Sequence, residues 1–233
     1  MGGLWVDYNL MTTIDGLFAG GESNFSDHGA NRLGASALMQ GLADGYFILP
    51  QTVANYVARN PADPVDESHE EVQATLTRVK QRIDQLMNAP DAQHSPEYFH
   101  QKLGKILWDT CGMSREKSTL EQSIQEIEAL KKEFWQSVKV TGIDKDLNQT
   151  LERAGRVADF IELGILMCQD AIGREESCGA HARIEHLSTT GEAKRDDENY
   201  SYVAAWEHQE EGAKLHAEHL HFEFIQPTVR SYK

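Results

Sequence analysis

Hydrophobic positions fall into two regimes along the chain. From residue 72 onward they recur at steps of three and four, the signature of helices with one apolar face. Val72, Leu76, Val79, Ile83 and Leu86 make a first stripe, and Tyr98, Phe99, Leu103, Ile106 and Leu107 a second. Ile124, Ile127, Leu130 and Phe134 make a third, with Ser114 as its expected N-cap. The fourth and most apolar runs through Leu151, Ala154, Val157, Ala158, Ile161, Leu163, Ile165 and Leu166. Helices of this kind bury their stripes against one another, so residues 61–175 are expected to form a helical bundle. No internal repeat suggests a solenoid.

Before and after this region the apolar runs are short. Residues 4–8 and 16–20 read as strands joined by the polar segment Asn9 to Asp15, with Asp15-Gly16 as a turn signal. A helix is expected from about Gly34 to Ile48, carrying Leu38, Met39, Leu42 and Tyr46 at helical spacing. Pro50 then opens a second helix through Val53, Tyr56 and Val57. The stretch Asn60 to Asp66, with two prolines and no periodicity, reads as a linker. Past the bundle, Tyr200 to Trp206 and Leu220 to Ile225 read as short strands. The pattern predicts an α+β, mostly helical chain in three parts: residues 1–60, the bundle 61–175, and a strand-containing tail 176–233. Met1-Gly-Gly leads directly into the first strand, which cannot bury itself without sheet neighbours, so Met1 is read as a truncation point or an internal residue.

Charge narrows the function. A net charge of −15 over 233 residues argues against a nucleic-acid partner and against direct adhesion to anionic lipid. No apolar run is long enough to span a bilayer and no signal peptide is present, so membrane association is expected only through a partner. Cys111, Cys168 and Cys178 are widely spaced, form no metal-type pair, and suggest a reducing compartment.

The candidate chemistry sits in residues 20–40. An apolar run, Gly16 to Ala19, leads into Gly20-Gly21-Glu22. A polar loop with His28, Asn31 and Arg32 follows, and then the helix that Gly34-Ala-Ser-Ala-Leu-Met opens. A glycine-rich turn before a helix N-terminus suits an anionic or electron-rich ligand, and Arg32 adds a planar fork matched to a carboxylate. The run His28-Gly-Ala-Asn-Arg-Leu-Gly34, with Gly21-Glu22 upstream, resembles the flavin- and substrate-binding signature of the succinate dehydrogenase/fumarate reductase flavoproteins. The resemblance continues through the helical region to Arg174-Glu-Glu-Ser-Cys-Gly-Ala-His181, Arg195-Asp-Asp197 and a terminal strand. Relatives usually carry arginine where Cys178 stands.

The resemblance implies that residues 1–60 are the C-terminal part of an FAD-binding domain. The dinucleotide loop, the histidine of covalent FAD and the capping domain would belong to a half that this sequence lacks. It implies FAD as cofactor and a C4 dicarboxylate as substrate, with interconversion of succinate and fumarate. Electrons would pass to an iron–sulfur subunit and on to a quinone at a membrane cytochrome b anchor. The site would lie peripherally on the cytoplasmic face of the inner membrane. Arg32 is the expected carboxylate ligand of the substrate, and Glu22 contacts FAD through a hydroxyl. Ser36, Ala37 and Leu38 stand at the flavin edge, the last two through backbone N–H groups. His28 and Asn31 position the loop. Many relatives have Asn-Ser where Ser36-Ala37 stands, so a hydroxyl contact at position 37 is lost. No catalytic acid or base and no metal ligand is assigned in these residues. His181 is read as structural, and His216, His219 and His221 are not read as a metal site. Two alternatives are an L-aspartate oxidase-like flavoenzyme, which shares the His-Gly-Ala-Asn-Arg core, and a stand-alone helical interaction protein without activity. The chain alone is expected to hold FAD weakly.

Overall fold

The computed structural model describes residues 2–25, 28, 32, 34–61, 65–142, 147–209 and 212–228. Contacts divide the chain into two units. The first combines Met1–Pro64, Cys178–Ala180 and Ser201–Arg230; the second combines Val65–Ser177, His181–Tyr200 and Ser231–Lys233. The boundary near residue 64 falls inside the expected linker. The tail does not form a unit of its own, because its residues are shared between the two.

In the second unit the four stripes become helices: α3 (Glu70–Met87), α4 (Pro96–Thr110), α5 (Lys117–Ser137) and α6 (Gln149–Gly173), while α1 (Ser36–Ala43) and α2 (Leu49–Arg59) lie in the first unit. Side chains cap three of them: His69 accepts from Glu71 N–H, Ser95 from Tyr98 N–H and Asn148 from Leu151 N–H. Phe99, Leu103, Leu120, Ile127, Phe134, Val157 and Ile161 form the core, with Phe99 and Phe134 edge-to-face at 5.2 Å.

The expected stripes need correction in two places. On α3 only Leu86 is buried, and Leu76 and Val79 are exposed. On α6 the inner line is Ala154, Val157, Ile161, Gly164, Cys168 and Ala171, while Leu163 is half exposed. A close-packed helix pair selects small residues for its inner line, so the largest apolar side chains are a poor guide to the buried face.

Ser114 is not the cap of α5. It lies in β1 (Ser114–Arg115), which pairs in parallel with β2 (Ala182–Arg183). The α5 N-terminus is served from far along the chain, where Glu185 Oε1 accepts from Lys117 N–H at 2.7 Å. The same carboxylate pairs with Arg183, 1% exposed, which donates to the carbonyls of Ala171 at 2.9 Å and Ile172 at 3.2 Å. One ion pair, with buried Arg183 and exposed Glu185, thus satisfies two C-terminal carbonyls of α6 and the N-terminus of α5 together.

His181 sits beside this junction. Arg115 Nη1, which can only donate, contacts His181 Nδ1 at 2.7 Å. The ring is therefore the neutral tautomer protonated at Nε2, which donates to Arg174 O at 2.9 Å. Burial, with the charges of Arg115, Arg183 and Arg174 close by, lowers its pKa despite that carbonyl. A short helix, α7 (Asp197–Tyr200), follows.

In the first unit, residues 4–8 and 16–20 do not form strands. Leu4 bridges Asn24, Met11 bridges Phe18, and Asp7 Oδ1 accepts from the N–H groups of Asn9 and Met11. The Asp7 carboxylate curls residues 7–11 into a turn, which breaks the extended run. Val6, Leu10 and Ala19 form a small core. The helix begins at Ser36 as α1 (Ser36–Ala43), continues through a π turn (Asp44–Ile48) and runs on as α2 (Leu49–Arg59), with Pro50 in its first turn. The hairpin at the end is β3 (Tyr202–His208) against β4 (Ala213–His219), antiparallel. Its second strand thus precedes residues 220–225, because the glycine turn at Gly212, φ +84°, sets the register earlier. On β4, His216 Nε2 is 2.8 Å from Glu207 Oε2 across the hairpin.

Candidate functional site

The site grows from the start of α1. Its N-cap, Ala35, makes no side-chain hydrogen bond, in contrast to the caps of α3, α4 and α6. The first-turn N–H groups therefore lack the usual side-chain acceptor, and the helix dipole favours an anion there. A concavity of about 380 Å³ opens at this end, lined by Glu22, Arg32, Gly34, Ala35, Ala37, Leu38 and Gly41. Glycine and alanine keep its floor low, so a flat ligand can approach backbone.

Arg32 and Glu22 meet at its rim. Arg32 Nη1 lies 2.8 Å from Glu22 Oε1, and the side chains are 44% and 61% exposed. An exposed pair of this kind contributes little to stability, at most about 1 kcal/mol, so its value lies in holding the guanidinium plane over the concavity. Ser36 Oγ contacts His28 Nδ1 at 3.4 Å, tying the loop to the helix. Ala37 is buried and Leu38 exposed. Met39, Leu42 and Tyr46 also face solvent, because the inward face runs through buried Ala37, half-buried Gln40 and Gly41, and buried Asp44. Asn31 lies outside the described residues.

Three residues not singled out in the sequence hold the Gly20–Glu22 turn. Buried Asp44 accepts from Gly21 N–H at 2.7 Å and from Asn24 Nδ2 at 3.2 Å. Gln40 Nε2 donates to Asn24 Oδ1 at 2.8 Å. Gly21 has φ +64°, and a Cβ there would come 3.5 Å from the Gly41 Cα, so the turn and the helix pack backbone to backbone. The available signal was the spacing of Gln40 and Asp44, one turn apart on the face opposite the apolar one.

The fold and this rim define a mostly helical α+β protein with an anion-receptive cleft at an uncapped helix start. The chain belongs to the family of the fumarate reductase flavoprotein C-terminal region, whose family model matches residues 100–232. It is 27% identical over its whole length to the succinate dehydrogenase flavoprotein subunit of Bacillus subtilis, covering 38% of that protein. It is 26% identical, over 82% of its length, to an L-aspartate oxidase of Synechocystis, covering 34% of that protein. Among solved structures, a variant of Escherichia coli quinol fumarate reductase FrdA superposes with a TM-score of 0.82 over 97% of this chain, at 25% identity, and 37% of that one is covered. The chain therefore spans little more than a third of the length of these relatives.

Proposed function

We propose that the chain works as part of an FAD-dependent flavoprotein subunit that interconverts succinate and fumarate. The observation that carries this reading is the Arg32–Glu22 pair over the uncapped start of α1, in a chain whose whole length aligns with a succinate dehydrogenase flavoprotein subunit. The residues fit a flavin: small side chains at Gly34, Ala35, Ala37 and Gly41 leave room for a planar ring, and the helix start offers N–H donors. When bound, FAD supplies the two-electron chemistry. With the cofactor held there, the Ala37 and Leu38 N–H groups would offer donors to negative charge on it. Glu22 accepts a hydrogen bond from a cofactor hydroxyl, and its contact with Arg32 orients the guanidinium. Arg32 binds one carboxylate of the C4 dicarboxylate through its planar fork, which fixes the substrate against the reacting ring. His28 and Asn31 hold the loop that carries it.

In this reading electrons leave through an iron–sulfur subunit toward a quinone at a membrane anchor. No helix among the described residues is long and apolar enough to cross a membrane, so attachment at the cytoplasmic face of the inner membrane would be peripheral. A second reading follows from the L-aspartate oxidase similarity. It covers 82% of the chain, against the full length for the dehydrogenase relative, and a succinate-versus-aspartate assay separates the two.

The test is Arg32→Lys in the complete flavoprotein. The expected result is retained FAD absorbance with turnover reduced by about 100-fold or more, since an ammonium cannot reproduce the fork. Near-normal succinate oxidation by this variant would overturn the role given to Arg32.

A further inference from the structure

The second unit contains a pair of nucleophilic side chains that the proposed redox reaction does not use. Cys111, the C-cap of α4, and Cys168, near the C-terminal end of α6, are both buried in the same core. Their meeting follows from how the two helices pack. The rings of His100 and Phe160 lie 5.8 Å apart. One turn on, Gly164 lets α4 approach so closely that a Cβ there would stand 3.2 Å from Leu103 Cδ1 and 3.5 Å from Leu107 Cδ1. One further turn along both helices brings residue 111 level with residue 168. Close backbone approach at a glycine favours the short separation that a disulfide requires.

We propose that Cys111 and Cys168 are a reversible redox pair that closes to a disulfide, tying the C-terminal end of α4 to α6. The oxidant class is a small hydroperoxide, which can reach a buried site that a protein oxidant cannot. The Cys111 thiolate attacks one peroxide oxygen, the O–O bond breaks, and water leaves after proton uptake. Cys168 then attacks the resulting sulfenic sulfur, the S–S bond forms, the S–O bond breaks, and a second water leaves. Two thiols are oxidised by two electrons and one hydrogen peroxide becomes two waters. The roles are set by the surroundings. The hydrogen bond from Cys168, aided by the charge of Arg115, holds the Cys111 thiol down to about 7 in spite of burial and of Asp170. Donation to Cys111 and burial push the Cys168 thiol up.

The experiment treats the full chain, folded and reduced, with one equivalent of hydrogen peroxide, then counts thiols and maps peptides without reduction. The expected result is the joint loss of two of the three free thiols, a peptide linking Cys111 to Cys168 that has lost two hydrogens, and a thermal midpoint raised on the order of 10 °C. Dithiothreitol should restore the starting state. Cys111→Ser and Cys168→Ser should each abolish the linked peptide, and Cys178→Ser should leave it. Peptide mapping of the unsubstituted chain stands even if a serine variant fails to fold. Persistence of both thiols, oxidation that stops at sulfinic acid, or linkage only between chains would overturn the proposal.

Discussion

A single buried acceptor decides the geometry of the candidate site. Asp44 is 5% exposed and holds both Gly21 N–H and the Asn24 amide, so removing it leaves two donors buried without that partner. Asp44→Ala is expected to cost about 1–3 kcal/mol in urea unfolding, and Asp44→Asn, which keeps an acceptor oxygen, clearly less. Equal losses for the two would show that the carboxylate charge, not the hydrogen bond, matters. Arg183 is the corresponding residue of the second unit. It joins the carbonyls of Ala171 and Ile172 to the Glu185 carboxylate, so Arg183→Met removes the donor of both carbonyls, while Glu185 keeps Lys117 N–H. The expected loss is about 1–3 kcal/mol, with a midpoint near wild type as the outcome that refutes it. Arg183→Lys should rescue little, because one ammonium cannot span carbonyls and carboxylate at once.

At the scale of elements, two glycines mark helix stability left unused. Gly104 lies within α4 and Gly155 within α6, and a Cβ at either meets nothing within 4 Å. Gly104→Ala and Gly155→Ala should each stabilise by roughly 1 kcal/mol, raising the thermal midpoint by about 2–4 °C. A lowered midpoint in either would mean that α4 or α6 is not formed as described. The helices themselves were legible in the sequence, because a three-four apolar period survives wherever one face is buried. The sequence also drew attention to Glu22 and Arg32 as charged residues beside a glycine-rich turn, and the structure brings the two together. What could not be read depends on partners distant in sequence. The start of α5 is completed by Glu185, and Ser114 is drawn into a bridge with Ala182, neither of which local capping rules anticipate. The run Leu4 to Tyr8 carries strand propensity, yet the Asp7 carboxylate folds it into a turn. Asp44 escaped notice because a buried polar anchor and an exposed helix carboxylate look alike until the opposite face is known.

Across the whole molecule the balance of titratable groups makes the helical unit the acid-sensitive part. His181 has a folded pKa lowered by burial and three nearby arginines, so above pH 6.5 both folded and unfolded states leave it neutral and it contributes no pH dependence. As pH falls below 6.5 the unfolded chain takes up a proton that the folded chain refuses. Stability must then decline by up to about 1.4 kcal/mol per pH unit until the folded pKa is reached. Glu185 opens a second window. Burial would raise its pKa, but hydrogen bonds from Arg183 and Lys117 N–H outweigh that and bring it to about 2. Stability present above its ordinary 4.5 is therefore lost between 4.5 and about 2. In the first unit, Asp7 is lowered against burial by the N–H groups of Met11 and Asn9, and its contribution fades only below its ordinary 3.8. Urea unfolding between pH 7.5 and 5 should thus show a falling midpoint reported by Trp108 and Trp135, which lie in the helical unit. His181→Asn keeps an oxygen to accept from Arg115 but cannot titrate, so it should flatten the slope between pH 6.5 and 5 while leaving the loss below 4.5. A wild-type midpoint constant from pH 7.5 to 5.5, or an unchanged slope in the variant, would exclude His181 as the source and leave Glu185 as the group that sets the acid limit of the helical unit.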